Sequence, residues 1–188
     1  MTEYFELLDE DGNRTGRVKA REAVHRDGDL HGGSHIWVIR DVRPDGHFQV
    51  LLQRRRYDKD SFPGCLDVSS AGHMTAGETF LSTALRELEE ELGIRAAEDN
   101  LIFLFKQVVG GEFEFYGQPF KNYEVNFVYL LKPEVSLETL NYQREEIEEL
   151  VWMDSAEILA EIRSGNPEFC IWEEEYGRFL EEAAKVLQ

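Results

Sequence analysis

Glu87, Glu90 and Glu91 stand at positions i, i+3 and i+4 of a helix-patterned segment, so their carboxylates share one stripe. Like charges at that spacing repel one another, and a hard cation removes the penalty. Mg²⁺ (or Mn²⁺) prefers carboxylate oxygens combined with waters and phosphate oxygens, which makes phosphate chemistry the natural use of such a stripe. Arg86 precedes Glu90 by one helical turn and can also reach Glu78, so one guanidinium can orient several acids. The bland alternative is a solvated acidic helix face, common in a Glu-rich chain. The placing of Gly, Arg and Glu residues around the three acids weighs against it.

The elements that must carry these residues follow from periodicity. Leu81, Ala84, Leu85, Leu88 and Leu92 give Thr79–Leu92 one apolar face, which predicts an amphipathic helix. Gly77 precedes it and Gly93 ends it. A short strand over Leu66–Ser70 leads in. Tyr4–Leu8 and Arg14–Lys19 flank a turn and predict a β-hairpin, followed by a polar loop over Arg21–Ser34. His35–Arg40 and Phe48–Gln53 read as buried strands joined through Pro44-Asp45-Gly46. Further strands are expected at Leu101–Val109, Glu124–Leu131 and Leu150–Met153. Asp154 caps a helix running to about Arg163, and Glu173–Leu187 forms a last amphipathic helix. Strands interleaved with helices in one core imply an α/β fold, a mixed sheet with helices on its faces.

Gly72, Glu78, Arg86-Glu87-Leu88, Glu90-Glu91 and Gly93-Ile94 together match the signature of the Nudix hydrolases. The resemblance implies an α/β/α sandwich over roughly residues 32–165. It also implies Mg²⁺-dependent cleavage of a diphosphate linked to another moiety. Glu87, Glu90 and Glu91, with the Gly72 carbonyl, would hold the metal. The whole of 1–188 is expected to form a single domain, with 1–31 as an N-terminal hairpin and loop and 166–188 as a C-terminal helical extension.

A narrower resemblance is to the type I isopentenyl-diphosphate isomerases. It is carried by the N-terminal hairpin, His25, His31, Arg54-Arg55, Lys59, Phe62-Pro63-Gly64 and Gly72-His73. Those enzymes place a catalytic Cys just before the Gly-His pair, where this chain has Ala71. Their second proton-transfer residue is a Glu that Glu124 matches, and a nearby acidic metal ligand is replaced by Asn122. A C-terminal Trp is matched by Trp172 with a one-residue gap. The isomerases bind a metal through residues like His25, His31 and His73, although a His in a polar loop is ordinarily a surface group; His35 opens the strand that follows that loop. With Ala71 one half of the acid–base pair is missing, so the chain reads as a hydrolase on an isomerase-like frame.

Arg55 and Lys59 lie in the dense basic segment before the signature and match the diphosphate-holding pair of those relatives; a solvated strand end is the alternative. Glu146 sits where many Nudix proteins place an acid ahead of an aromatic, here Trp152, with Glu145 and Glu148 competing for the role. Glu87, Glu124 and Glu146 are the candidates for the proton acceptor.

Composition narrows the partners. The chain has 188 residues, 42% apolar and 31% charged, and 20 Lys plus Arg against 38 Asp plus Glu give a formal charge of −18. So negative a surface argues against a nucleic acid polymer or an anionic membrane as partner. A small-molecule diphosphate would be captured through bound metal and local cations. No signal-peptide pattern, no membrane-length apolar run and only Cys65 and Cys170 point to a cytoplasmic protein, and a homodimer is left open. A nucleoside di- or triphosphate is the substrate class the resemblance implies, with small diphosphate esters fitting too. The rivals are isopentenyl-diphosphate isomerisation and a non-catalytic diphosphate-binding module.

Overall fold

A computed structural model describes residues 2–132 and 134–187. Its strands are β1 (Tyr4–Leu8), β2 (Arg14–Ala20), β3 (His31–Arg40), β4 (Gln49–Arg55), β5 (Leu66–Asp67), β6 (Ser70–His73), β7 (Leu101–Phe115), β8 (Gln118–Leu131) and β9 (Ile147–Asp154). The helices are α1 (Arg21–Asp27), α2 (Phe80–Leu92), α3 (Ser155–Arg163) and α4 (Glu173–Val186).

Strand β3 is the organising element. It pairs antiparallel with β1, β4 and β6 and parallel with β8, so the sheet is mixed. Both faces of β3 are buried, and its side chains divide by parity. Ile36 and Val38 pack toward α2 with Leu51, Ala84, Leu88 and Leu92. Trp37 and Ile39 pack toward α4 with Val50, Leu52, Tyr176 and Phe179. Two apolar layers around one sheet make the expected sandwich.

The pairing of β3 with β4 is confined to Ile39↔Val50 and Arg40↔Gln49. Beyond those rungs β3 turns to β6 and β4 turns to β5, and the sheet splays. Buried Ser69 stands at the fork, where its hydroxyl accepts from Val38 N–H at 2.8 Å and donates to the Leu51 carbonyl at 2.6 Å. One side chain thereby satisfies a donor and an acceptor that a continuous ladder would have paired.

Several expected boundaries are corrected. The polar loop over Arg21–Ser34 contains α1, ended by left-handed Gly28, and the first residues of β3. Val24 of α1 packs with Phe5 and Leu7, a tertiary contact that local polarity hides. The expected strand over Leu66–Ser70 is two strands, broken at the fork. The later strands are longer than expected: β7 and β8 pair out to Phe115↔Gln118, through Glu112↔Lys121 and Phe113↔Phe120, where charge and Gly110-Gly111 conceal the pattern. Asp154 caps α3 as expected, its carboxylate accepting from Ala156 N–H at 2.9 Å.

Candidate active site

Helix α2 starts at Thr79, whose side chain accepts from Ser82 N–H while the Ser82 hydroxyl accepts from Thr79 N–H, a reciprocal cap. It ends at Gly93, left-handed at φ 70°. Its polar edge faces the fork. Arg86 lies at the centre there, with Nε 2.7 Å from Glu78, one terminal nitrogen 2.7 Å from Glu87 and 2.9 Å from Glu90, and the other 3.2 Å from the His73 carbonyl. The expected reach to both Glu78 and Glu90 is therefore present. Burial opposes charge on Glu78, but Arg86 and Thr75 draw it down to about 2.

Glu87 and Glu91 point into a cavity of about 350 Å³. Burial, then the neighbouring Glu91 charge, pushes Glu87 up to about 8 against the pull of Arg86. Burial also pushes Glu91 up to about 7. One Glu91 oxygen accepts from Ser70 Oγ at 2.7 Å, Ala71 N–H at 3.1 Å and Gln53 at 3.4 Å, which aims its other oxygen into the cavity. Glu90 is 55% exposed at the rim. Gly72 follows Ala71, and a Cβ built on it would fall 1.8 Å from a Glu87 oxygen. Only glycine admits the carboxylate so close to the β6 backbone. Two buried, mutually repelling carboxylates close against the β6 backbone suit a hard divalent cation.

The same cavity gathers residues distant in sequence. Arg55 lines it, with its guanidinium held by the Ser61 carbonyl at 3.0 Å and by Asp67 at 3.3 Å. Lys59 and Glu146 also line it and form an ion pair. Arg54 instead turns toward Glu149 and Glu168. Phe62, Phe113, Phe120 and Trp172 form an aromatic wall, Phe62 and Phe113 meeting edge to face at 5.0 Å.

On the β1–α1 side, His25, His31 and His73 converge, one ring nitrogen of each within 4.8 Å of the others. His31 Nδ1 lies 3.0 Å from the Asp29 carbonyl, which leaves Nε2 as the lone-pair nitrogen. The Nε2 atoms of His25 and His31 are buried without a hydrogen-bond partner. Burial holds His25 down to about 3 and His31 to about 4, so both rings are neutral. Neutral, orphaned imidazole nitrogens fit a cation better than a surface loop. Glu124 joins them, 2.9 Å from His73 Nε2 and 3.1 Å from Asn126. Although burial opposes its charge, His73 holds it well below the usual carboxylate range.

Arg55, Lys59, Gly72, Arg86, Glu87, Glu90, Glu91, Glu124 and Glu146 thus line one cavity, and of the histidine cluster His73 reaches it while His25 and His31 lie behind. Sequence reasoning missed the supports Gln53, Ser70 and Ser61, and the pair His35–Glu175. None has a local signal, because each partner lies on another element.

A family model described as "NUDIX domain" matches residues 33–172. "Nudix hydrolase 3" of Arabidopsis thaliana is 38% identical over 184 residues, which is 95% of this chain but only 23% of that protein. The crystal structure of DR0079 from Deinococcus radiodurans superposes with a TM-score of 0.66 at 21% identity, covering 94% of this chain and 98% of that one. The NUDIX domain of Shewanella oneidensis NrtR complexed with ADP ribose superposes at 0.53 and 16% identity, covering 85% of this chain and 88% of that one. The structural likenesses establish the fold, and the sequence matches carry it to a family. The chain belongs to the Nudix hydrolases.

Proposed function

We propose that the protein hydrolyses a P–O–P linkage in a nucleoside di- or triphosphate or a related small diphosphate, with Mg²⁺ or Mn²⁺ as cofactor. The observation that carries this reading is one cavity with buried Glu87 and Glu91 on one side and Arg55 and Lys59 on another. A divalent cation at Glu87, Glu90, Glu91 and the Gly72 carbonyl would neutralise phosphate charge and lower the pKa of water. The chain's own part is placement. Arg86 fixes the acids, Arg55 and Lys59 orient phosphate oxygens, and a carboxylate takes the proton. Glu87, Glu124 and Glu146 all line the cavity; Glu146 alone stands outside both candidate ligand clusters, which favours it as acceptor. His25, His31 and His73, with Glu124, would hold a second cation.

Isomerisation is disfavoured because Ala71 offers no proton. The test is release of phosphate or pyrophosphate from a panel of nucleotide and non-nucleotide di- and triphosphates with Mg²⁺ or with chelator, run beside isopentenyl diphosphate in heavy water. Metal-dependent release is expected. Double-bond migration with deuterium uptake, or no release from any diphosphate, would overturn the reading.

Arg55→Ala and Lys59→Ala test phosphate capture. Charge-assisted contacts to phosphate contribute about 1.5–3 kcal/mol, so kcat/KM should fall on the order of tenfold to a hundredfold. Mn²⁺ affinity without substrate should barely change. Arg55 also ties down Ser61, so Arg55→Lys is the control for loop order. Wild-type efficiency in both alanine variants would reduce the segment to a strand end.

A further inference from the structure

The cavity has a second polar feature, on the α4 side of the sheet. His35 lies within β3, across from Ala71 of β6 and beside Val128 of β8. By parity it shares the face of Trp37. Its Nδ1 is 2.8 Å from a carboxylate oxygen of Glu175, which lies in the first turn of α4 and is 1% exposed. The other Glu175 oxygen accepts from the Gln107 side chain on β7. With Nδ1–H donating to that oxygen, the pair fixes the ring and leaves Nε2 as its second polar atom.

His35 Nε2 has no protein partner among the described residues, yet it is not one of the buried orphaned atoms. It opens on the cavity that His35 and Glu175 both line. Burial opposes charge on the ring, but Glu175, with Glu124 and Asp67 beyond it, outweighs burial and raises His35 to about 9.

Three polar side chains from three elements are spent on aiming one ring nitrogen. A mere tie between α4 and the sheet needs no such set: Trp37 and Phe179 stack at 4.5 Å on the same face and join these layers without desolvating a charge. The phosphate-holding candidates stand elsewhere, at the C-terminal end of β4 and the loop after it. His35 instead lies at mid-strand, in a cavity whose other wall is aromatic.

We propose that His35 is a specificity-determining residue whose Nε2 hydrogen-bonds a polar atom on the organic group carried by the diphosphate. Glu175 and Gln107 are its positioning residues. The inference rests on the hydrolase reading above and deepens it by naming the residue that reads the organic group. A hydrocarbon chain at the same place would cover that nitrogen and leave it without a partner. A site built to hydrogen-bond its substrate discriminates strongly against analogues that cannot.

The experiment has two arms. In the first, P–O–P cleavage with Mg²⁺ is measured by chromatography of the monophosphates formed from the ribonucleoside diphosphates, ADP-ribose, isopentenyl diphosphate and geranyl diphosphate. Wild type should favour the best polar substrate over the best prenyl one by at least about a hundredfold, and His35→Leu should close most of that gap, losing the first and gaining the second. A wild-type preference for prenyl diphosphates overturns the inference, as does an equal loss on all substrates in His35→Leu. In the second arm Ca²⁺ replaces Mg²⁺ to stall turnover, and the ¹⁵N resonance of His35 Nε2, assigned by its loss in His35→Leu, is followed during ADP titration. It should move with ADP and not with isopentenyl diphosphate, and in Glu175→Gln it should titrate at lower pH. Movement without hydrolysis of any diphosphate would sink the hydrolase reading and keep this one. Hydrolysis with an unmoved resonance and an unchanged substrate ratio would do the reverse.

Discussion

Glu91→Gln and Glu87→Gln should each lower turnover by about a hundredfold or more while the protein stays folded, since losing a cation-facing charge removes several kcal/mol of stabilisation. Size and shape are kept, and the Ser70 and Ala71 hydrogen bonds to residue 91 can be kept by the amide oxygen. Without metal the two carboxylates are a liability. Glu87 is raised to about 8, so the folded state holds its proton over a range where the unfolded chain has released it. Stability of the metal-free protein therefore falls as pH rises from the ordinary carboxylate range to about 8, and Glu87→Gln escapes that loss. The variant should melt higher than wild type in chelator above pH 8, by about 2–4 °C for each kcal/mol regained. The difference should vanish near pH 4 and reverse with Mg²⁺ present. Turnover near wild type in both variants would remove the metal site from α2.

Gly72→Ala should be almost as damaging, for a steric reason. The added methyl would sit 1.8 Å from one Glu87 oxygen and 2.0 Å from its carboxyl carbon, so Glu87 must swing away by more than an ångström. A misplacement of about 1 Å can cost on the order of a hundredfold in rate. Overpacking should add about 1–3 kcal/mol of destabilisation. Adding Glu87→Gln to Gly72→Ala should then cost little more, since both changes disable the same group. Kinetics and melting on the two single variants and the double variant decide the matter. Additive losses would mean that Gly72 acts independently of Glu87.

Legibility followed locality. Helix α2, its Thr79 and Gly93 ends, Arg86 and the acids were readable because all lie within two dozen residues and obey one helical period. The Asp154 cap was readable for the same reason. His31 as the start of β3 was not, because Gly32 and Gly33 carry no side chain to mark alternation, and their place is set by pairing with β8. The union of Lys59 with Glu146, or of His35 with Glu175, depends on how β4, β9 and α4 are stacked. No spacing rule reaches across such separations. The histidine cluster lay between these cases: its members were visible, but their convergence required α1 to replace the expected loop.

Ser69 has a consequence for how such a protein can change over time. By closing both loose ends of the ladder at the fork, its hydroxyl keeps the cleft open from within the sheet. The opening is thus inherited separately from its contents. Substitutions at the positions that face it, Ala71, Asn122 and His35 among them, alter what is accepted or what is done to it and leave the frame standing. Descendants of one scaffold can part ways in chemistry by exchanging a few cleft-facing side chains, provided the serine at the fork stays.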